Sequence, residues 1–237
     1  MNHPKPSIRT AKETTAETAQ APILYGLLKR RRLFLPTLGA LAISCGLFLC
    51  FLVAIAPIYY RFLAENAPLK GGALLISGEE NDRAMSEAIH LLQIKEYDSL
   101  YVLCTHLRKG GVLVPNGTDE ALNAERIRRL GHGAIADRSV PLPDPLLVGP
   151  QATYSSIVNW MGKNGGVPSR ITYLGTGAQG RTEQIELQRA FNRCHTQIGV
   201  ISVSPVEYNE NWWWMTSAGF REVLSESLRF AVAICKL

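Results

Sequence analysis

No Cys-x-x-Cys pair occurs in this chain, and no His/Cys spacing fits a zinc site. A zinc-knit fold or a thioredoxin-type redox motif is thereby excluded, and no metal ligand set is expected. Cysteine itself is sparse. Of the five, Cys45 and Cys50 fall in an apolar run, and Cys104, Cys194 and Cys235 leave an odd number outside it. One disulfide with one free thiol stays open, without a preferred pair, and burial in a core is the plainer role for each.

A basic binding surface is missing too. The formal net charge is +5, but residues up to Arg61 carry a net +6 and the remainder −1. The excess belongs to the N-terminus, so no nucleic-acid partner is expected. Arg126, Arg128 and Arg129 cluster, but Glu120 and Glu125 stand among them, and the group reads as a solvated helix face.

Charge is absent altogether between Arg32 and Arg61, in "LFLPTLGALAISCGLFLCFLVAIAPIYY". This run exceeds the roughly 20 apolar residues that cross a bilayer. Tyr59 and Tyr60 suit the far interface, and Lys29–Arg32 marks the near end as cytoplasmic. The expectation is a disordered cytoplasmic tail over 1–30 and an anchor over 31–61 in the cytoplasmic (inner) membrane. An extracytoplasmic domain over 70–237 follows. A cleaved signal peptide, with Ala54-Ile-Ala56 as its site, is the alternative. An apolar core well beyond about 7–15 residues counts against it.

Short apolar runs then alternate with helical periodicity. Strands are expected at 73–77, 99–104, 170–174 and 198–204. Helices are expected at 82–94, 119–130, 153–163, 182–194 and 221–235, and 140–150 reads as loop. The pattern predicts an α/β fold, a doubly wound and mainly parallel sheet with helices on both faces. Ligands of such sheets sit outside the carboxyl ends of the strands.

At one such end stands "GTGAQGRTEQ", in which Gly175, Gly177 and Gly180 spell the dinucleotide fingerprint. It follows a late strand instead of the first, and no acid stands at the end of the next strand, the first being Glu207. A dinucleotide-binding domain is therefore the third reading, and the sequence names no cofactor. A more general anion site survives, with Gly177 and Gly180 freeing backbone N–H groups and Arg181 and Thr182 as ligands. A turn with Thr182 as helix cap is the equal alternative.

Gly166-Val-Pro168, Thr182-Glu183, Trp212-Trp213 and Arg221-Glu222, spread over Ala73 to Phe230, resemble the YdcF-like family of membrane-anchored envelope proteins. The resemblance implies a doubly wound α/β domain and envelope maintenance. A polyprenyl-phosphate or peptidoglycan-type ligand is implied with it. The chain departs from that pattern at Ser77-Gly78-Glu79, at Cys104-Thr105-His106 and within Ser202–Asn211, where the family's His and Arg are absent.

For an enzyme of this kind, Arg83 and Arg181 would neutralise a phosphate while Glu79, Glu183 or His106 acts as base. In the plain alternative, Glu79 and Glu183 merely complement helix N-termini, and His106 is a loop residue. The rival class is a non-catalytic, membrane-tethered interaction module. Trp212-Trp213-Trp214 cannot all face one core, so at least one is expected at a membrane interface, a sugar or a protein partner. Leu224, Leu228, Ala231 and Cys235 form one apolar seam on the last helix.

Overall fold

Helix α1 (Leu38–Leu63) begins where Thr37 accepts the Ala40 N–H on its hydroxyl at 3.2 Å. The computed structural model describes residues 28–29, 35–105, 119–130, 137–143 and 150–235. They fall into two units, Met1–Val53 and Ala54–Leu237. In the first unit a short antiparallel ladder pairs Leu28–Lys29 with Leu35–Pro36, ahead of the start of α1. Among the described residues α1 is the one helix long and apolar enough to cross a membrane. At 26 residues it measures roughly 39 Å. Its bounds differ from the expected 31–61. It passes through Pro57, because Tyr60 and Leu63 in the following turn are buried and tertiary packing holds that turn.

The second unit is built on five parallel strands: β1 (Ala73–Ser77), β2 (Ser99–Thr105), β3 (Asp137–Leu142), β4 (Arg170–Thr176) and β5 (Gln197–Val203). Their order is β3-β2-β1-β4-β5, every pair parallel. The expected α/β fold is therefore observed. One strand was missed, since Val140 to Leu142 lie in β3 and not in a loop. Pro141 is tolerated there because β3 is an edge strand, and Val140 and Leu142 point into the core.

Both faces are covered. On one, α2 (Asp82–Gln93) and α3 (Asp119–Arg129) bring Met85, Ile89 and Ile127 onto Leu74, Ile76, Val102 and Leu174. On the other, α4 (Pro150–Lys163) and α5 (Gly180–Phe191) bring Ile157, Met161, Leu187 and Phe191 onto Leu75, Tyr101, Tyr173 and Val200. Successive residues of β1 thus serve opposite layers, which is why its apolar run is unbroken.

A third cluster joins Tyr60 and Leu63 of α1 to Val223 of the last helix, α6 (Ser217–Cys235). The chain between α1 and β1 is pinned to the sheet: Ala67 exchanges two backbone bonds with Val200, at 2.9 and 3.1 Å, and Ser202 Oγ donates to the Glu65 carbonyl at 2.8 Å.

Candidate functional site

The strand order reverses between β1 and β4, so the crevice that such folds use for ligands lies at the carboxyl ends of these two strands. Glu80, in the loop after β1, fills it. Its carboxylate accepts from Thr176 Oγ1 at 2.5 Å and from Gln179 Nε2 at 2.6 Å. Asn81 caps α2 by accepting the Ala84 N–H at 2.9 Å, and its amide reaches Thr176 at 3.4 Å.

Arg126, from α3, braces the same loop from the side. Its guanidinium donates to the carbonyls of Gly78 (3.2 Å) and Glu80 (2.6 Å) and to the Asp82 carboxylate (2.5 Å). Of the three arginines read as a solvated face, Arg128 and Arg129 do pair with Glu125 in solvent, whereas Arg126 turns inward. Those two partners hold the Glu125 carboxyl down at about 2.

The loop after β4 carries the fingerprint glycines, and each meets a group of the protein itself. Gly177 has φ +74°, and a Cβ there would collide with Glu222 Oε1. That oxygen accepts the Ala178 N–H at 2.9 Å. The group that sits on this loop is a side-chain carboxyl of α6. Gly180 leaves room for Ser202 Oγ and for the Glu65 backbone, whose oxygen would lie 2.8 Å from an added Cβ. Arg181 donates to the Phe62 carbonyl at 2.5 Å, pairs with the Glu65 carboxylate, and lies 4.1 Å over the Phe62 ring. It serves a free carbonyl at the end of α1 instead of the loop.

Thr182 is fully buried, and its hydroxyl has no partner among the described residues. Glu183 is buried as well. It accepts from Tyr154 Oη at 2.6 Å and pairs with Arg229 at 2.9 Å, in a network with Glu186 and Glu226 between α4, α5 and α6. Glu79 is exposed, its N–H on Ser77 Oγ at 3.3 Å, and Arg83 is exposed on α2. His106 lies outside the described residues. Among those described, no group of three His, Cys, Asp or Glu is placed to hold a metal ion. None of the five cysteines is in a disulfide, Cys104 being buried and the other four exposed.

No family model, curated protein or solved structure matches this chain. The site must be read from its own geometry.

Burial pushes the Glu222 carboxyl above its ordinary range, the Ala178 N–H works against that, and Glu80 and Glu207 push it further up. A carboxyl with a raised folded-state pKa binds its proton more tightly folded than unfolded. Its contribution to stability is therefore greatest in acid and declines as pH rises through the raised value. Glu222→Gln keeps an acceptor for Ala178 and removes the charge. Its melting temperature, followed over about pH 5 to 9, should exceed that of the wild type at the alkaline end and converge with it on acidification. Parallel profiles would mean that Glu222 carries no such burden.

A second surface lies beside the end of α1. In the turn Glu210–Met215, Trp213 donates its indole N–H to the Ala56 carbonyl at 3.0 Å and stacks on Phe220 with centroids 6.4 Å apart. Trp214 touches both other indoles, and Trp212 is 53% exposed. The seam Leu224, Leu228, Ala231 and Cys235 exists, but it faces outward, Leu228 being 63% exposed. Glu222, Glu226 and Arg229 face inward instead. The helix is amphipathic with its apolar side on the surface, which no periodicity in the sequence can distinguish from the ordinary arrangement.

Proposed function

We propose that this protein is a single-pass, membrane-tethered interaction module that works through its surface and not through a catalytic centre. Its α/β domain stands on the extracytoplasmic side of the cytoplasmic membrane, with Lys29–Arg32 retained in the cytoplasm. The observation that carries this reading is the Glu222 carboxylate on the Ala178 N–H, at the place where such a fold would receive a ligand. Of the two cations expected to neutralise a phosphate, Arg181 is engaged by Phe62 and Glu65 and Arg83 is exposed on α2. Envelope maintenance, as the resemblance to YdcF-like proteins implies, is the role proposed for the module.

One observation favours a second reading, an enzyme acting on a phosphate-bearing or glycan envelope precursor. A loop that holds a carboxylate can hold a phosphate once the carboxylate leaves. A polyprenyl-phosphate would then take the place of Glu222. Melting of the full-length protein against NAD, nucleotides, polyprenyl-phosphate analogues and muropeptides separates the two. A bound ligand at about 100 times its Kd adds about 2.7 kcal/mol, a rise of roughly 5–11 °C for a domain of this size. The module should show no shift with any of them. A shift with a phosphate-bearing ligand that grows in Glu222→Ala would establish the second reading in its place, and a shift with NAD alone would establish the dinucleotide site.

A further inference from the structure

The exposed apolar face beside α1 supplies the surface that the module reading calls for, and its geometry names the partner. Tyr59 Oη donates to Ser227 Oγ at 2.7 Å, and the Phe62 and Phe230 rings meet edge to face at 5.3 Å. Three residues on in one helix match three residues on in the other, so this stretch of α1 and α6 lies side by side and runs in the same direction. One turn earlier, the same register sets Leu224 level with Ala56, the residue whose carbonyl holds the Trp213 indole. The Trp turn and the first half of α6 therefore stand at the depth of the last turns of the apolar helix. They do not stand above it.

The face presented there is apolar: Trp212, Met215, Phe220, Leu224 and Leu228 are each at least half exposed. Beside it on α1, Ile58 and Phe62 are also exposed, Phe62 meeting Phe230 and carrying Arg181 over its ring. The cations at its margin are Arg61, donating to Asn211 Oδ1 at 3.3 Å, and Arg181 over the Phe62 ring, while exposed Arg221 lies on the face itself, three residues before Leu224. Indoles beside an aliphatic stripe, with arginine at the edge, are the composition of a segment seated between headgroups and acyl chains. A bilayer that surrounds α1 at Ala56 already lies against this face.

We infer that the Trp212–Leu228 face is seated in the lipid surface, and that the domain holds the bilayer by this face as well as by its anchor. The occupant is lipid, not a second copy of the chain or a protein ligand.

The test uses the full-length protein in phosphatidylcholine vesicles, with and without bromine on the acyl chains. Bromine quenches only indoles that touch the chains. Trp160, the one tryptophan outside the patch, stands half-buried on α4 with its ring edge to face with Tyr101. Brominated lipid should lower the emission by about a third or more, because the patch holds the other three indoles. Trp160→Phe should increase the quenched fraction and Trp212→Phe decrease it.

Equal emission in the two lipids, from protein that resists alkaline extraction, would overturn this inference and leave the anchor standing. Protein that washes off the vesicles would overturn both. Indoles shielded from brominated lipid and from acrylamide alike, in particles of dimer size, would assign the face to a second copy and overturn the lipid assignment.

Discussion

Arg229→Met is expected to lower the stability of the protein by about 3 kcal/mol, a fall in Tm of roughly 6–12 °C. A single guanidinium stands among three carboxylates there, 2.9 Å from Glu183, 3.3 Å from Glu186 and 2.9 Å from Glu226. Glu183 and Glu226 are 6% and 8% exposed. Burial pushes both carboxyls above their ordinary range, and the Arg229 charge is the main influence holding them down. Without it, two carboxylates stay buried with no cation. The expected loss sits at the low end of the range for broken buried pairs because the arginine side chain itself is 35% exposed and already meets water.

The sign of the pH dependence checks the cause. Carboxyls with raised folded-state pKa values weaken the fold as pH rises through those values, and the variant raises them further. The gap between variant and wild type should therefore be wide at alkaline pH and narrow on acidification. Glu183→Gln in the same background should recover part of the loss, since the Gln oxygen still accepts from Tyr154. A gap independent of pH would assign the loss to packing of the arginine stem instead.

Gly177→Ala should cost about as much by another route. The position has φ +74°, a conformation that costs an L-residue about 1–2 kcal/mol. The new Cβ also takes the space of Glu222 Oε1. Displacing that carboxylate loses a charged hydrogen bond to Ala178, about 1.5–3 kcal/mol. A total near 3 kcal/mol again corresponds to roughly 6–12 °C. The two parts separate in Gly177→Ala/Glu222→Ala, where nothing remains to collide. The double variant should be less destabilised than the sum of its single variants. Strict additivity, or a fall in Tm under about 2 °C for Gly177→Ala, would show that Glu222 does not fill this loop in solution.

The layers of the domain were legible because burial on both faces leaves a plain mark. Ala73–Ile76 reads as an unbroken apolar run, and Ala84, Ala88 and Leu92 recur at helical spacing. β3 was not legible, since an edge strand needs only Val140 and Leu142 in the core and tolerates Pro141 between them. The loop Gly175–Gly180 reads in the sequence equally as a place for an anion and as a turn capped by Thr182. Its occupant could not be read, because Glu222 comes from 44 residues further along the chain. Arg181 and Glu183 illustrate the same limit. They stand two positions apart on one helix and so point in different directions, Arg181 to the end of α1 and Glu183 into the network around Arg229.

The segment between α1 and β1 has a consequence for how this domain meets anything else. Ala67 is laddered to Val200, Leu69 donates its N–H to Thr172 Oγ1 at 3.2 Å, and Glu65 is held by Ser202 and Arg181. There is no slack in such a leash. Within the second unit, the last turns of α1 from Ala54 on are therefore fixed to the sheet. For the membrane-tethered module proposed above, encounters with other membrane-bound molecules become a two-dimensional search, in which local surface density does much of the work that affinity does in solution.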